Sequence, residues 1–206
     1  ASLVSITRRE KHNVKVVIIS EKSEYNHLLD EVESFKPVVI GFSSVSSQFN
    51  YVKGMAALIK ELFPSITIIC GGVHPTINAD ALLEAENING FFVGESELSI
   101  IEFLNKIEKG ESFKETDNFA YVQDGKVVRN KLKNLLEDLD LLPHPDKEIY
   151  PYKKTIMDLG YAPFFFARGC PYMCTYCSNH ALAKLYGRRR NYPRFRSPEV
   201  CIREIE

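Results

Sequence analysis

The fold is decided by residues 38–76, which read VVIGFSSVSSQFNYVKGMAALIKELFPSITIICGGVHPT. Residues 38–42 and 66–70 are apolar runs rich in β-branched side chains. Runs of this kind suit strands that are buried on both faces of a parallel sheet. Between them, apolar residues recur at helical spacing; these are Val52, Met55, Ile59 and Leu62. The stretch therefore predicts a strand, a helix and a second, parallel strand.

The same alternation extends in both directions along the chain. Residues 14–19 (VKVVII) and 90–93 (GFFV) are further strand-like runs, and a second helical period is formed by Leu98, Ile101 and Leu104. The order predicts an α/β fold with a doubly wound parallel sheet and right-handed crossovers. Residues 1–13 predict a helix with no strand ahead of it. Because such a sheet normally has its first strand before its first helix, we expect the chain to begin inside a larger protein, after that strand.

Composition excludes several classes of protein. The chain has 206 residues, of which 45% are hydrophobic and 26% charged, with a formal net charge of −1. These values are ordinary for a globular domain, and they exclude a disordered tail, a collagen-like repeat and a disulfide-packed mini-protein. The sequence contains no run of about 18 apolar residues, so it predicts no membrane span. The first residues, ASLV, lack the basic-then-apolar layout of a signal peptide, so we expect a cytoplasmic location.

The charge is distributed unevenly. From Tyr161 onward, eight lysines and arginines oppose three acidic residues, whereas the preceding part carries a net charge of −6. Opposite signs in the two parts indicate two modules with different partners. Residues 119–131 contain two β-type runs around Asp124-Gly125, which predicts a hairpin. Residues 135–160 are acidic and proline-marked. We therefore predict domains at 1–134 and 161–206, joined by a linker at 135–160.

Small residues and glycines follow the predicted parallel strands. The strand ends read SSVS (43–46), GGVHPT (71–76) and GESE (94–97). In an open α/β sheet, ligands bind outside the carboxyl ends of the strands, and glycines allow a bulky ligand to approach the backbone closely. The alternative is that these segments are only strand-to-helix turns. For Glu95 and Glu97 we favour capping of the helix that follows, since acids complement the helix dipole there.

The most specific signal is FFFARGCPYMCTYC at residues 164–177. Residues 162–167 predict a strand, and the loop after it carries Cys170, Cys174 and Cys177. Thiolate ligands select zinc or iron–sulfur clusters. Three thiolates leave one iron of a [4Fe–4S] cluster open to a small molecule, whereas a zinc site would need a fourth ligand such as His180. Three packed, inert thiols are a further alternative.

The motif Cys170-x₃-Cys174-x₂-Cys177, preceded by Arg-Gly-Cys-Pro and with Tyr176 before the last cysteine, resembles the radical S-adenosylmethionine (SAM) motif. A doubly wound module, a proline-rich linker and this motif together resemble a cobalamin-binding radical SAM enzyme. The stretches GGVHPT and GESE are most similar to the branch that includes the anaerobic magnesium-protoporphyrin monomethyl ester cyclases. The resemblance implies a Rossmann-like cobalamin-binding sheet that lacks its first strand, followed by the beginning of a partial (β/α) barrel.

The resemblance also implies an activity. Cys170, Cys174 and Cys177 would ligate the [4Fe–4S] cluster, and Tyr176 would lie near the adenine of SAM, although a ring packed in the loop remains open. Reductive cleavage of SAM would give a 5′-deoxyadenosyl radical for methyl transfer or oxidative cyclisation of a small molecule that the sequence does not identify. The electron would come from a donor such as flavodoxin or ferredoxin. The chain stops early in the barrel, so we expect it to be inactive alone.

Cobalamin contacts are implied at the strand ends. In the family, a Ser-x-Leu-type turn and a Gly-Gly turn surround the nucleotide tail of the cofactor, and Val45 departs from the first pattern. We assign His74 to the turn or to a contact with the tail rather than to the cobalt. The residues concerned are Ser43, Ser44, Val45, Gly71, Gly72 and His74.

Two other functions remain open. One is a radical SAM enzyme without bound cobalamin. The other is a Cys₃His zinc module that binds RNA through the arginines at 188–190. For the basic stretch 188–196 we favour a solvated loop beside an anionic cofactor or substrate, because the chain as a whole is not basic. We therefore expect no nucleic-acid partner.

Overall fold

The structure is a computed structural model that describes residues 2–172, 174–187 and 193–206. It contains two compact units. One, here called the sheet unit, is continuous and comprises Val17–Lys133. The other, here called the split unit, combines the residues up to Val16 with Asn134–Glu206. The start of the chain thus packs with its last third, which differs from the predicted grouping of residues 1–134. As a division into domains, that grouping stays a prediction.

The helices and strands follow the predicted alternation over most of the sheet unit. The α-helices are α1 (Ser2–Arg9), α2 (Tyr25–Phe35), α3 (Phe49–Leu62), α4 (Val73–Ile77), α5 (Glu97–Glu108), α6 (Tyr152–Leu159), α7 (Asn179–Leu185) and α8 (Pro198–Ile205). The strands are β1 (Val39–Ser43), β2 (Thr67–Gly71), β3 (Gly90–Phe92), β4 (Phe119–Gln123), β5 (Lys126–Arg129), β6 (Ala167–Arg168) and β7 (Arg194–Phe195). Short 3₁₀ turns lie at Lys22–Glu24, Ser46–Gln48, Ala79–Glu84 and Leu139–Leu141.

One five-stranded sheet, in the order β1-β2-β3-β4-β5, forms the centre of the sheet unit. β1, β2 and β3 are parallel, with Ser43 opposite Gly71 at the carboxyl end of the first pair. β4 and β5 are antiparallel and extend the sheet beyond β3. The predicted α/β fold and its parallel strands are confirmed.

The sheet is covered on both faces, as the continuous apolar runs predict. Cys70 and Phe91 pack on one side with apolar residues of α2 and α3. Their neighbours Ile69 and Phe92 point to the other side and pack with Phe103 of α5. Successive side chains of a strand point to opposite faces, so each strand contributes to both cores.

The strand predicted at residues 14–19 does not form. These residues have no ladder partner among the described residues, and none of them is fully buried. Val17 and Ile19 pack against the core cluster to which α2 and α3 contribute, while Ile18 is 46% exposed. A segment that packs against a core without joining the sheet can have the same apolar pattern as a strand, which is why the sequence pattern was misleading here.

The hairpin at 119–131 is confirmed. Asp124 and Gly125 have φ angles of 51° and 71°. A two-residue turn with both central residues at positive φ matches the twist of the flanking strands, and Asp-Gly tolerates that conformation.

The split unit differs from the prediction in two respects. The strand predicted at 162–167 is reduced to Ala167–Arg168, which pairs antiparallel with Arg194–Phe195. Within the predicted linker, the chain forms α6, and Gly160 ends this helix with a φ of 73°. The physical reason is that proline marks segment ends but does not prevent a helix from starting immediately after it.

The predicted linker is packed onto its own unit rather than free. Arg196 donates hydrogen bonds from Nη1 to the Leu142 carbonyl at 3.2 Å and from Nη2 to the Pro143 carbonyl at 3.0 Å. From α1, the Ser5 hydroxyl accepts a hydrogen bond from the Asp146 backbone at 2.7 Å, and Arg8 forms an ion pair with the Asp146 carboxylate. The start of the chain therefore contacts the predicted linker directly, at Asp146.

In the part of the chain that the structure describes, no helix combines the length and the apolar character that a membrane span requires.

Candidate functional site

The loops after β1 and β2 are hydrogen-bonded to each other through their backbones. The Ser44 N–H donates to the Gly71 carbonyl at 2.9 Å, and the His74 N–H donates to the Ser44 carbonyl at 3.1 Å. Parallel strands bring their carboxyl ends to the same edge of a sheet. The structure therefore brings together the predicted segments 43–46 and 71–76.

Gly72 permits the close contact of these two loops. Its φ of 98° and ψ of −167° lie in a region that is essentially restricted to glycine. A Cβ atom at this position would lie 2.8 Å from the Ser44 carbonyl oxygen and 2.9 Å from the Ser44 nitrogen. Cβ atoms do not come this close to other heavy atoms in proteins. The two loops can therefore make this contact only with glycine at position 72.

Thr76 connects the loop after β2 to the segment that leaves β3. Its hydroxyl donates to the Gly72 carbonyl at 2.7 Å and accepts a hydrogen bond from the Gly94 N–H at 3.0 Å. The three strand ends are therefore one hydrogen-bonded edge. Thr76 lies in the motif GGVHPT, but it was not predicted to have a role of its own. A hydroxyl four residues after Gly72 could have indicated a hydrogen bond back to the Gly72 carbonyl.

The side chains at the carboxyl end of β1 and in the loop after it differ in their exposure to solvent. Ser44 is 2% exposed, and its hydroxyl donates to the Val45 carbonyl at 2.9 Å. Ser43 is exposed, and Val45 is 44% exposed although it is apolar. Ser44 is thus part of the loop's internal structure, whereas Ser43 and Val45 are accessible from this edge.

The ring of His74 makes one hydrogen bond and one aromatic contact. Its Nδ1 lies 2.9 Å from the Ser46 hydroxyl, and its ring centroid lies 4.3 Å from that of Phe49. Burial lowers the pKa of His74, and Lys53 lowers it further, while Glu84 acts in the opposite direction. The neutral ring is therefore favoured.

The second ring nitrogen of His74 has a hydrogen-bonding capacity that no described residue uses. Nε2 is buried and has no hydrogen-bond partner among the described residues. Buried polar atoms usually have a partner. This orphaned nitrogen, together with the glycine-dependent contact of the two loops, fits an edge that receives a polar ligand.

Asn118 is a residue that sequence reasoning missed. It lies immediately before β4, is 1% exposed, and has a φ of 63°. Its side chain bonds to the segment that follows β3. An asparagine before a strand-like run, where the chain must turn, could have indicated the positive φ but not these partners.

The three loop cysteines are free thiols that differ in exposure. Cys170 and Cys177 are half-buried and Cys174 is exposed, and the Cys177 N–H donates to the Cys174 carbonyl at 3.0 Å. Three thiols in one accessible loop have the donor chemistry of a soft metal centre. The described residues do not, however, include any group of three His, Cys, Asp or Glu side chains placed to hold a metal ion. The role of these cysteines as ligands stays a prediction.

Other predicted residues near this loop are equally open. Tyr176 is 92% exposed, so the alternative of a ring packed in the loop is not what the structure shows, while its contact with SAM stays a prediction. The side chain of His180 has a buried Nδ1 without a hydrogen-bond partner among the described residues. The arginines at 188–190 lie outside the described residues. Of the remaining cysteines, Cys201 is half-buried and Cys70 is buried, and burial raises the pKa of Cys70 to about 12.

Comparison with known proteins identifies a family for the first half of the chain. The model of the B12 binding domain family matches residues 2–104. An uncharacterized methyltransferase of Pyrococcus horikoshii is 25% identical over 174 residues, which is 83% of this chain and 38% of that protein. The anaerobic magnesium-protoporphyrin IX monomethyl ester cyclase of Rubrivivax gelatinosus is 29% identical over 185 residues, or 86% of this chain and 32% of the cyclase.

A solved structure supports the fold over almost the whole chain. The cobalamin-dependent S-adenosylmethionine radical enzyme OxsB, with aqua-cobalamin and S-adenosylmethionine bound, superposes with a TM-score of 0.78 at 21% identity. The match covers 99% of this chain and 28% of OxsB. Against the two curated relatives, the chain spans about a third of their length.

Proposed function

Because the chain belongs to the B12-binding domain family, we propose that it binds cobalamin at the carboxyl edge of β1, β2 and β3. The observation that supports this most directly is the glycine-dependent contact between the loops at Ser44 and Gly72. It joins the carboxyl ends of β1 and β2 at the edge where open α/β sheets bind ligands, and Gly72 is exposed there. A large cofactor can approach such a surface closely.

The residues of this edge would have distinct tasks. Ser43 and Val45 are accessible and would contact the cofactor directly. His74 Nε2 would form a hydrogen bond with a polar group of the cofactor, because this nitrogen has no partner among the described residues. Gly72 and Thr76 would keep the three loops in register.

We further propose that this chain is part of a cobalamin-dependent radical SAM enzyme that transfers a methyl group or forms a ring. The relatives that support this are, by their names, a methyltransferase and a cyclase. Cys170, Cys174 and Cys177 would hold a [4Fe–4S] cluster, and Tyr176 would contact SAM. When bound, the cluster would supply one electron to SAM, and cobalamin would supply a metal centre that carries a methyl group. The proposal includes a small-molecule substrate and an electron donor such as flavodoxin or ferredoxin.

A binding experiment tests the cobalamin site. Hydroxocobalamin binding to the wild-type chain is measured by equilibrium dialysis and absorbance, beside Val45→Glu and Leu62→Glu. Leu62 is 56% exposed at the carboxyl end of α3, which lies at the opposite edge of the sheet because α3 runs antiparallel to the strands. We expect Val45→Glu to weaken binding at least about tenfold, since it places an unpaired charge against the ligand, and Leu62→Glu to leave it unchanged. Absence of binding by the wild type, or equal effects of the two variants, would contradict the proposal.

Metal analysis tests the cysteine loop separately. After anaerobic reconstitution, iron, sulfide and zinc are measured for the wild type, for Cys174→Ala and for the control Cys201→Ala. We expect about four irons and four sulfides per chain, lost in Cys174→Ala and retained in Cys201→Ala. One zinc and no iron would reject the cluster in favour of a zinc site.

A further inference from the structure

The side chain of Asn118 uses its full hydrogen-bonding capacity within the sheet unit. Its Nδ2 donates to the Val93 carbonyl at 2.8 Å and to the Glu95 carbonyl at 3.3 Å. Its Oδ1 accepts hydrogen bonds from the Ser99 hydroxyl and from the Lys133 N–H, both at 2.9 Å. An amide side chain has two donor hydrogens and two acceptor lone pairs, so this set is complete.

These bonds hold the segment that leaves β3 at its carboxyl end. The Val93 N–H also donates to the Asn118 backbone carbonyl at 2.8 Å. Asn118 therefore bonds to both the N–H and the carbonyl of Val93, with its backbone and its side chain respectively. The bond from the Asn118 amide to the Glu95 carbonyl holds the chain on the far side of Gly94, whose φ is 78°. Ser99, in the first turn of α5, bonds to the same amide, so the start of the helix is tied to the segment as well.

The segment held by Asn118 is also part of the proposed cobalamin edge. Gly94 donates its N–H to Thr76, and Thr76 donates its hydroxyl to the Gly72 carbonyl. A contiguous path of hydrogen bonds therefore runs from Asn118 through residues 93–95 and Thr76 to Gly72. Because Asn118 is 1% exposed, it acts through these bonds and not by touching a ligand.

We propose that Asn118 is a positioning residue for cobalamin, which sets the placement of residues 93–97 and, through Thr76, of the Gly72 loop. The inference rests on the proposed cobalamin site and adds a determinant of its affinity. The positive φ of Asn118 contributes to this role. Asparagine tolerates the conformation, and its side-chain amide reaches the carbonyls of the segment after β3. No residue of the predicted cobalamin contacts performs this task.

The test compares four variants of the full chain for hydroxocobalamin affinity and for amide hydrogen exchange of residues 94–97. Asn118→Asp keeps the shape and the positive φ but removes both donated bonds, and Asn118→Gly keeps the backbone conformation without the side chain. Ser99→Ala removes a bond to Oδ1 and leaves the bonds to the segment. Phe103→Leu is the control for stability alone, since Phe103 is fully buried in the core on the α5 side of the sheet.

We expect the dissociation constant to rise about tenfold in both Asn118 variants, with faster exchange at residues 94–97. Ser99→Ala and Phe103→Leu should stay within about twofold of the wild type. Equal affinity of Asn118→Asp and the wild type would overturn the inference, and so would an equal loss in Phe103→Leu, which would reveal an effect of stability only. Absence of binding by the wild type would instead overturn the proposed function itself.

Discussion

Alanine at Gly72 would disturb the contact on which the proposed site depends. The residue has a φ of 98° and a ψ of −167°, and forcing a side chain into such a region costs about 1–3 kcal/mol. The new Cβ would also lie 2.8 Å and 2.9 Å from backbone atoms of Ser44. Backbone cannot move aside by changing a rotamer, and overpacking of this kind costs about 1–3 kcal/mol. We therefore expect Gly72→Ala to lower the free energy of unfolding by about 2–4 kcal/mol.

The neighbouring glycine provides a matched control. A Cβ at Gly71 would meet only ordinary contacts, with the Phe92 Cβ at 3.8 Å and the Phe92 carbonyl at 4.0 Å. Gly71→Ala should therefore change the free energy of unfolding by less than about 1 kcal/mol. Urea unfolding followed by circular dichroism measures both variants, and for a chain of this size the larger loss corresponds to a fall in Tm of about 5–15 °C. Equal stability of Gly72→Ala and Gly71→Ala would refute the reasoning about the loop contact.

Three further outcomes are expected. Gly90→Ala should lower the free energy of unfolding by about 1–3 kcal/mol, because its Cβ would lie 2.6 Å from the carbonyl oxygen of Ala120. Gly54→Ala in α3 should raise it by about 0.5–1 kcal/mol, because no described atom outside the helix's own backbone lies within 4 Å of the new Cβ. Urea unfolding compares the two variants. Burial lowers the pKa of His74 below its ordinary value of 6.5, so the unfolded chain binds a proton more readily and stability is lost as the pH falls below about 6.5. The difference in unfolding free energy between pH 7.5 and pH 5.5 should therefore be smaller in His74→Gln, and an unchanged difference would exclude His74 as a source of the pH dependence. Because burial raises the pKa of Cys70 to about 12, iodoacetamide should label the exposed Cys174 and leave Cys70 unmodified in the native chain, as read by peptide mass spectrometry; labelling of both at similar rates would contradict the buried placement.

The sheet unit was predictable where local chemistry and burial agree. The runs at 38–42 and 66–70 became parallel strands because continuous apolar, β-branched runs suit strands buried on both faces. Asp124-Gly125 became a tight turn because its conformation depends on residues adjacent in sequence. The run at 14–19 failed, since apolar periodicity reports burial and not hydrogen-bond partners. The helix α6 was not predicted, because proline and acidic residues are typical of an extended linker and also occur at the start of a helix.

The site was predictable as a place and less so as an arrangement. The rule that ligands bind at the carboxyl ends of parallel strands located residues 43–46 and 71–76, and Gly72 was identified from its type alone. Asn118 was not identified, because its partners Val93 and Glu95 are more than twenty residues away in sequence. Interactions of that range depend on the complete fold, and one sequence contains no local signal for them.

The split unit has a consequence for the order of events during synthesis. The residues up to Val16 leave the ribosome before Val17–Lys133, yet they pack with residues from Asn134 onward. Val17–Lys133, which is continuous, can form its sheet in the interval. At translation rates of about 5–20 residues per second, α1 must wait roughly 6–25 s for its partners. During this time Ser5 and Arg8 lack Asp146, so a segment that is made before the sheet unit reaches its native contacts after it.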